Sequence, residues 1–248
     1  MRLDQKVAII TGAAHGLGRA YAERFAAEGA KVVVADIDAE GGERVAKAIG
    51  GWARTTDVAD WQSVQGLAAE TIDRFGRIDI LLNNAAVYER ANLWKGPLED
   101  LPLEEWDRLM AVNLRGVFLC CKAVIPVMKR QRGGKIINVA SSTFFSGVGD
   151  MPHYTISKGG IVAMTRVLAK QLGAWNVNVN CFTPGSTLTE EEITDEVMER
   201  RRRAAAGRAF KKIEKPEDVV GTALFLASAD SDFITGATIV VDGGGVLY

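Results

Sequence analysis

Tyr154 and Lys158 stand four residues apart in Tyr154-Thr155-Ile156-Ser157-Lys158, and Ser141 lies thirteen residues before the tyrosine. Residues i and i+4 share one face of a helix. If this stretch is helical, an ammonium lies beside a phenol. A nearby positive charge favours the phenolate and lowers the tyrosine pKa from its ordinary ~10. A tyrosine tuned in this way can take or give a proton near neutral pH, worth roughly 10²- to 10⁴-fold in rate. Such a pair is common by chance, so its meaning depends on what the rest of the chain supplies.

The N-terminus supplies a nucleotide loop. Residues 6–11 are apolar and β-branched and read as a buried strand. Thr11-Gly12-Ala13-Ala14-His15-Gly16-Leu17-Gly18 follows, then a helical pattern over 17–28 and a second buried strand over 31–36. Strand, glycine turn, helix and strand form one βαβ unit. Gly12, Gly16 and Gly18 permit a tight turn, and the helix start at Leu17 offers its N-terminus to a pyrophosphate. The spacing is Gly-x₃-Gly-x-Gly, not the better-known Gly-x-Gly-x₂-Gly. Asp36 ends the second strand, where a carboxylate can bind both adenosine ribose hydroxyls and repel a 2′-phosphate. Ile37, not a cation, comes next, and His15 rather than a fixed cation precedes Gly16. The expected cofactor is therefore NAD rather than NADP.

These motifs, with Asn83-Asn84-Ala85, Asn113 and Pro184-Gly185, resemble the short-chain dehydrogenase/reductase family in its NAD-dependent branch of roughly 250 residues. The likeness runs over 5–245. It implies an oxidoreductase in which Tyr154 is the general base, Lys158 lowers its pKa and binds the nicotinamide ribose, and Ser141 holds the substrate oxygen. Family spacing favours Ser141 over Ser142. Asn113 would hold a water linking Lys158 to solvent. Asp57 and Val58 resemble the pair that meets adenine, and Asn84 and Ala85 the turn beside the adenosine ribose, although Ala86 stands where glycine is usual. Pro184, Gly185, Thr187 and Thr189 match the segment that holds the nicotinamide carboxamide. Residues 186–212 match a lid, and a homotetramer is implied.

The elements that position these groups alternate along the whole chain. Strands are expected at 53–57, 78–83, 135–140, 177–183 and 237–241, and helices at 60–75, 102–131, 153–173 and 216–229. Pro126 should bend or interrupt the long helix. The pattern implies one α/β domain over 1–248: a doubly wound, Rossmann-type, seven-stranded parallel sheet with helices on both faces, a three-layer α/β/α arrangement. The candidate site residues fall just past strand ends, where such sheets bind ligands.

With 48% apolar and 25% charged residues, the composition is that of a globular domain, and the net charge of −1 gives no broad attraction to nucleic acid or a membrane surface. The run Arg200–Arg203 reads as a solvated helix face, because acidic residues crowd 190–199. No apolar run is expected to approach the ~20 residues that span a bilayer. The three cysteines, two of them adjacent, read as buried reduced thiols, and a cytoplasmic setting is expected. No metal site is expected from the two histidines, His15 and His153, which lie in different motifs.

The substrate is the least legible part. Phe144 and Phe145 could line an apolar pocket or merely cover the core. No Arg or Lys stands in 141–153 to meet an anion. A neutral, partly apolar secondary alcohol or ketone is expected. A 3-oxoacyl-thioester or other ketone reductase, and a catalytically silent NAD-sensing regulator, are the rival readings.

Overall fold

The computed structural model describes residues 1–88, 93–190 and 192–247. Seven strands form one sheet: β1 (Val7–Thr11), β2 (Lys31–Asp36), β3 (Trp52–Thr55), β4 (Ile80–Asn83), β5 (Gly134–Val139), β6 (Val177–Pro184) and β7 (Thr238–Val241). All neighbours pair in parallel, in the order β3-β2-β1-β4-β5-β6-β7. The order reverses between β1 and β4. At such a switch point the loops of two neighbouring strands part in opposite directions and open a crevice.

Alternation along each strand feeds two cores. Val7, Ile9, Val33 and Ala35 face one layer, built from α3 (Trp61–Phe75), the long helix α4 (Leu103–Gln131) and α5 (Pro152–Leu172). Ala8, Ile10, Val32 and Val34 face the other, built from α1 (Gly16–Ala27), α2 (Ala39–Ile49) and α7 (Pro216–Ala227). Side-chain caps start the helices where the sequence offers them. Asp38 accepts from the Gly41 N–H of α2, and Asp60 from the Gln62 and Ser63 N–H groups of α3. Gly50 and Gly76 end these two helices in the left-handed conformation that glycine adopts without a Cβ penalty.

Three expectations are corrected. The helix runs on through Pro126 without the interruption that was the alternative to a bend. Pro126 and Lys122 are both exposed, so the Lys122 carbonyl that loses its partner can be hydrated. The irregularity lies earlier, in a π-helical stretch at Ala111–Gly116. Second, α4 is long and apolar enough to cross a membrane by length and composition. Its apolar side, including Val117, Cys120, Val124 and Met128, is packed within the core. Third, Arg201 of α6 (Asp195–Ala206) is 1% exposed and paired with Glu190 at 2.6 Å, not solvated. Arg203, 79% exposed at its side chain, does follow the expected solvated face.

Candidate functional site

A cleft of about 690 Å³ opens above the carboxyl ends of β1, β2, β4, β5 and β6. Of the residues expected there, Gly12, His15, Leu17, Asp36, Ile37, Asp57, Val58, Asn84, Ala85, Ser141, Tyr154, Lys158, Pro184, Gly185, Thr187 and Thr189 all line it. The residues that bear chemistry and those that would hold a nucleotide thus share one wall.

The glycine turn is dictated by crowding. Gly12 and Gly16 have φ of +64° and +52°. A Cβ on Gly12 would stand 2.7 Å from the Ala85 Cα, and one on Gly18 only 1.9 Å from the Gly12 carbonyl oxygen. Asn84 stitches the turn from β4. Its side-chain amide donates to the Thr11 and Gly12 carbonyls at 3.1 and 3.0 Å, and its N–H donates to the Thr11 hydroxyl at 3.0 Å. Asn84 therefore shapes the loop besides bordering the cleft.

At the β2 end, Asp36 accepts from the Ala14 N–H at 2.8 Å and the Asp38 N–H at 3.0 Å. Each carboxylate oxygen keeps a further lone pair for a ribose hydroxyl. Asp38 also lines the cleft and meets His15 Nε2 at 2.7 Å. The Gly41 N–H and then His15 hold the Asp38 carboxyl below its usual range. Asp38 was not singled out by the sequence, where it reads only as a helix cap. Asp57 accepts from the Ala59 N–H at 2.8 Å at the start of the loop after β3.

The reacting end is built by β5 and α5. Tyr154 and Lys158 are 7% and 3% exposed. Lys158 Nζ donates to the Val139 carbonyl at 2.9 Å and lies 5.7 Å from the centre of the Tyr154 ring. Burial lowers the lysine pKa to about 8. Ser141 Oγ accepts from the Thr143 N–H at 3.3 Å and the Thr143 hydroxyl at 3.0 Å, which leaves its own O–H to donate into the cleft. Ser142 is absent from the lining.

Asn113 is fully buried in the π-helical stretch and bonds the backbone of Val87 in both directions, at 2.7 and 3.3 Å. The two rings offered as pocket lining, Phe144 and Phe145, stand outside it, packed edge-to-face with centroids 4.9 Å apart. The apolar wall comes instead from Val87, Tyr88 and Val112, with the Tyr88 ring 4.9 Å from that of Tyr154. Tyr88 follows β4 in a loop with no periodic signal, so only structure finds it. His153 is packed edge-on to Trp94, and burial lowers its pKa.

A dinucleotide fits this site: a turn too tight for side chains sits at the start of α1, a carboxylate pair ends β2, and one ammonium lies at the far end. The comparisons agree. Residues 12–245 match the family described as enoyl-(acyl carrier protein) reductase. The chain is 41% identical to the (2S)-[(R)-hydroxy(phenyl)methyl]succinyl-CoA dehydrogenase subunit BbsD of Thauera aromatica, covering 100% of this chain and 99% of the relative. It is 40% identical to galactitol 2-dehydrogenase of Agrobacterium fabrum, covering 98% of each. The solved structure of a levodione reductase matches with a TM-score of 0.90 at 30% identity, covering 100% of both chains.

Proposed function

Because the chain belongs to the short-chain dehydrogenase/reductase family and is thus an oxidoreductase that works with a nicotinamide cofactor, we propose that it interconverts a secondary alcohol and its ketone with NAD. The observation that carries this reading is the meeting of Ser141, Tyr154 and Lys158 in one cleft with the glycine turn and Asp36.

When bound, NAD supplies the acceptor for the hydride that leaves the carbinol carbon. Gly12, Gly16 and Leu17 would hold its pyrophosphate, Asp36 and Asp38 the adenosine ribose, Asp57 and Val58 the adenine, and Thr187 and Thr189 the carboxamide. Tyr154 takes the carbinol proton in oxidation and returns it in reduction. The Ser141 O–H donates to the substrate oxygen and stabilises charge developing there. Lys158, held by the Val139 carbonyl, places a positive charge against the tyrosine and favours its phenolate.

Two carboxylates at the end of β2 would repel a 2′-phosphate, which supports NAD over NADP. Among the described lining residues, Lys158 is the only lysine or arginine, and Val87, Tyr88 and Val112 are apolar or aromatic. A neutral, partly apolar substrate group fits such a wall. A second reading is a carbinol or ketone carried on an acyl thioester, favoured by the CoA thioester in the name of the Thauera relative. We also propose a cytoplasmic homotetramer that binds neither nucleic acid nor membrane.

The test is a panel of secondary alcohols and ketones run with each cofactor. NAD-linked turnover of an uncharged carbinol is expected, and Tyr154→Phe should lower kcat by at least about 10²-fold while NADH affinity stays within twofold. Full activity in that variant rejects Tyr154 as the base. A preference for NADP rejects the role given to Asp36. NADH binding with no turnover of any substrate favours a sensor.

A further inference from the structure

Glu214 sits in Lys211-Lys212-Ile213-Glu214-Lys215, a run that reads as a charged surface loop. The fold buries it to 4% exposure. Its Oε1 accepts from the Gly185 N–H at 3.1 Å and the Thr187 hydroxyl at 2.5 Å, and its backbone carbonyl accepts from the Leu188 N–H at 2.8 Å. Arg208, 5% exposed, stands 3.3 Å from the second carboxylate oxygen and donates to the Ser186 carbonyl at 3.0 Å. Packing reinforces the bonds. A Cβ on Gly185 would stand 2.7 Å from Glu214 Oε2 and 2.8 Å from Arg208 Nη2. Taking two charges out of water is costly, and it is tolerated where geometry and hydrogen bonds compensate. Here most of the compensating bonds go to one segment, Gly185–Leu188, which borders the cleft.

Thr187 and Glu214 form an isolated parallel bridge. In such a bridge the partner's carbonyl takes the N–H of the following residue, Leu188, and the bridged residue's own N–H turns to the opposite side. Thr187 itself lines the cleft, whereas Glu214 does not. The geometry points to Glu214 as a positioning residue for the cofactor: it holds Thr187 so that the threonine N–H meets the nicotinamide carboxamide, and it thereby sets affinity for the nicotinamide half alone. This rests on the NAD-binding reading above. Burial pushes the Glu214 carboxyl up and the nearby Asp242 adds to this, while Thr187, Arg208 and the Gly185 N–H oppose it.

Calorimetric binding of NADH and of ADP-ribose, which lacks nicotinamide, tests the proposal on the purified full chain. Glu214→Ala should weaken NADH about tenfold, the scale of one or two lost hydrogen bonds, with ADP-ribose changed less than twofold. Glu214→Gln, whose amide oxygen accepts the same two bonds, should keep NADH within about threefold. Thr187→Val removes the hydroxyl that Glu214 grips but keeps the backbone N–H, and should reproduce the selective loss even if the alanine variant does not fold. Unchanged NADH affinity in the alanine or valine variant overturns the proposal, as does equal weakening of both ligands, which would mean general loosening. A wild-type protein that binds neither ligand overturns the nucleotide reading itself.

Discussion

Lys158 and Tyr154 are separated by one helical turn, and that spacing together with the N-terminal glycine loop makes the pair readable. What spacing could not give is the burial that sets the lysine's charge. Burial leaves its Nζ almost no solvent, which lowers the ammonium pKa from the usual 10.5 to about 8. Below that pH the charge is present and supports the phenolate, and above it the charge is lost. In protein labelled with ¹³C-lysine, one Cε resonance should therefore titrate about two units below the rest in the absence of ligand, and Lys158→Met should remove it. A spectrum in which every lysine titrates near 10 would contradict this. Asp38 and Thr143 escaped the sequence for another reason. Each reads locally as a cap or turn residue; Asp38 lines the cleft, and Thr143 acts on it only through its bond to Ser141, because the loops after β2 and β5 end at the same crevice.

The elements were legible nearly to their ends, because strands of a parallel sheet are continuous apolar runs and helices between them carry a 3.6-residue period. The exceptions are α2, which is not among the expected helices, and two features of α4. Pro126 gives a strong local signal for a break, yet its face is exposed and water can serve the freed carbonyl. The π-helical stretch at Ala111–Gly116 has no such signal, since neither Gly nor Pro at a telling position forces it. It carries Asn113, which satisfies the N–H and carbonyl of Val87 in the loop after β4. Asn113→Ala should strip both partners and cost about 1–3 kcal/mol, read as a lower urea midpoint with an unchanged slope. Asn113→Asp keeps the shorter bond, and should fall between the two. A midpoint equal to wild type in the alanine variant would mean that the loop finds other partners.

For the molecule as a whole, binding is a stability term. A ligand that binds only the folded chain adds about 2.7 kcal/mol at 100 times its Kd, which for a domain of this size raises Tm by roughly 5–10 °C. NADH should produce such a shift and NADPH at equal concentration much less; equal shifts would count against the acidic end of β2. The sheet order also bears on how the chain is made. Hydrogen-bonding β1 on one side needs only β2, but its other side needs β4, which begins at Ile80. At a synthesis rate of about 5–20 residues per second, roughly 4–15 s separate the emergence of β1 and β4 from the ribosome. Throughout that interval the future centre of the sheet has a bare edge made of Val7, Ala8, Ile9 and Ile10. Chaperone capture of the nascent chain should begin with this strand and end once residue 83 has cleared the exit tunnel.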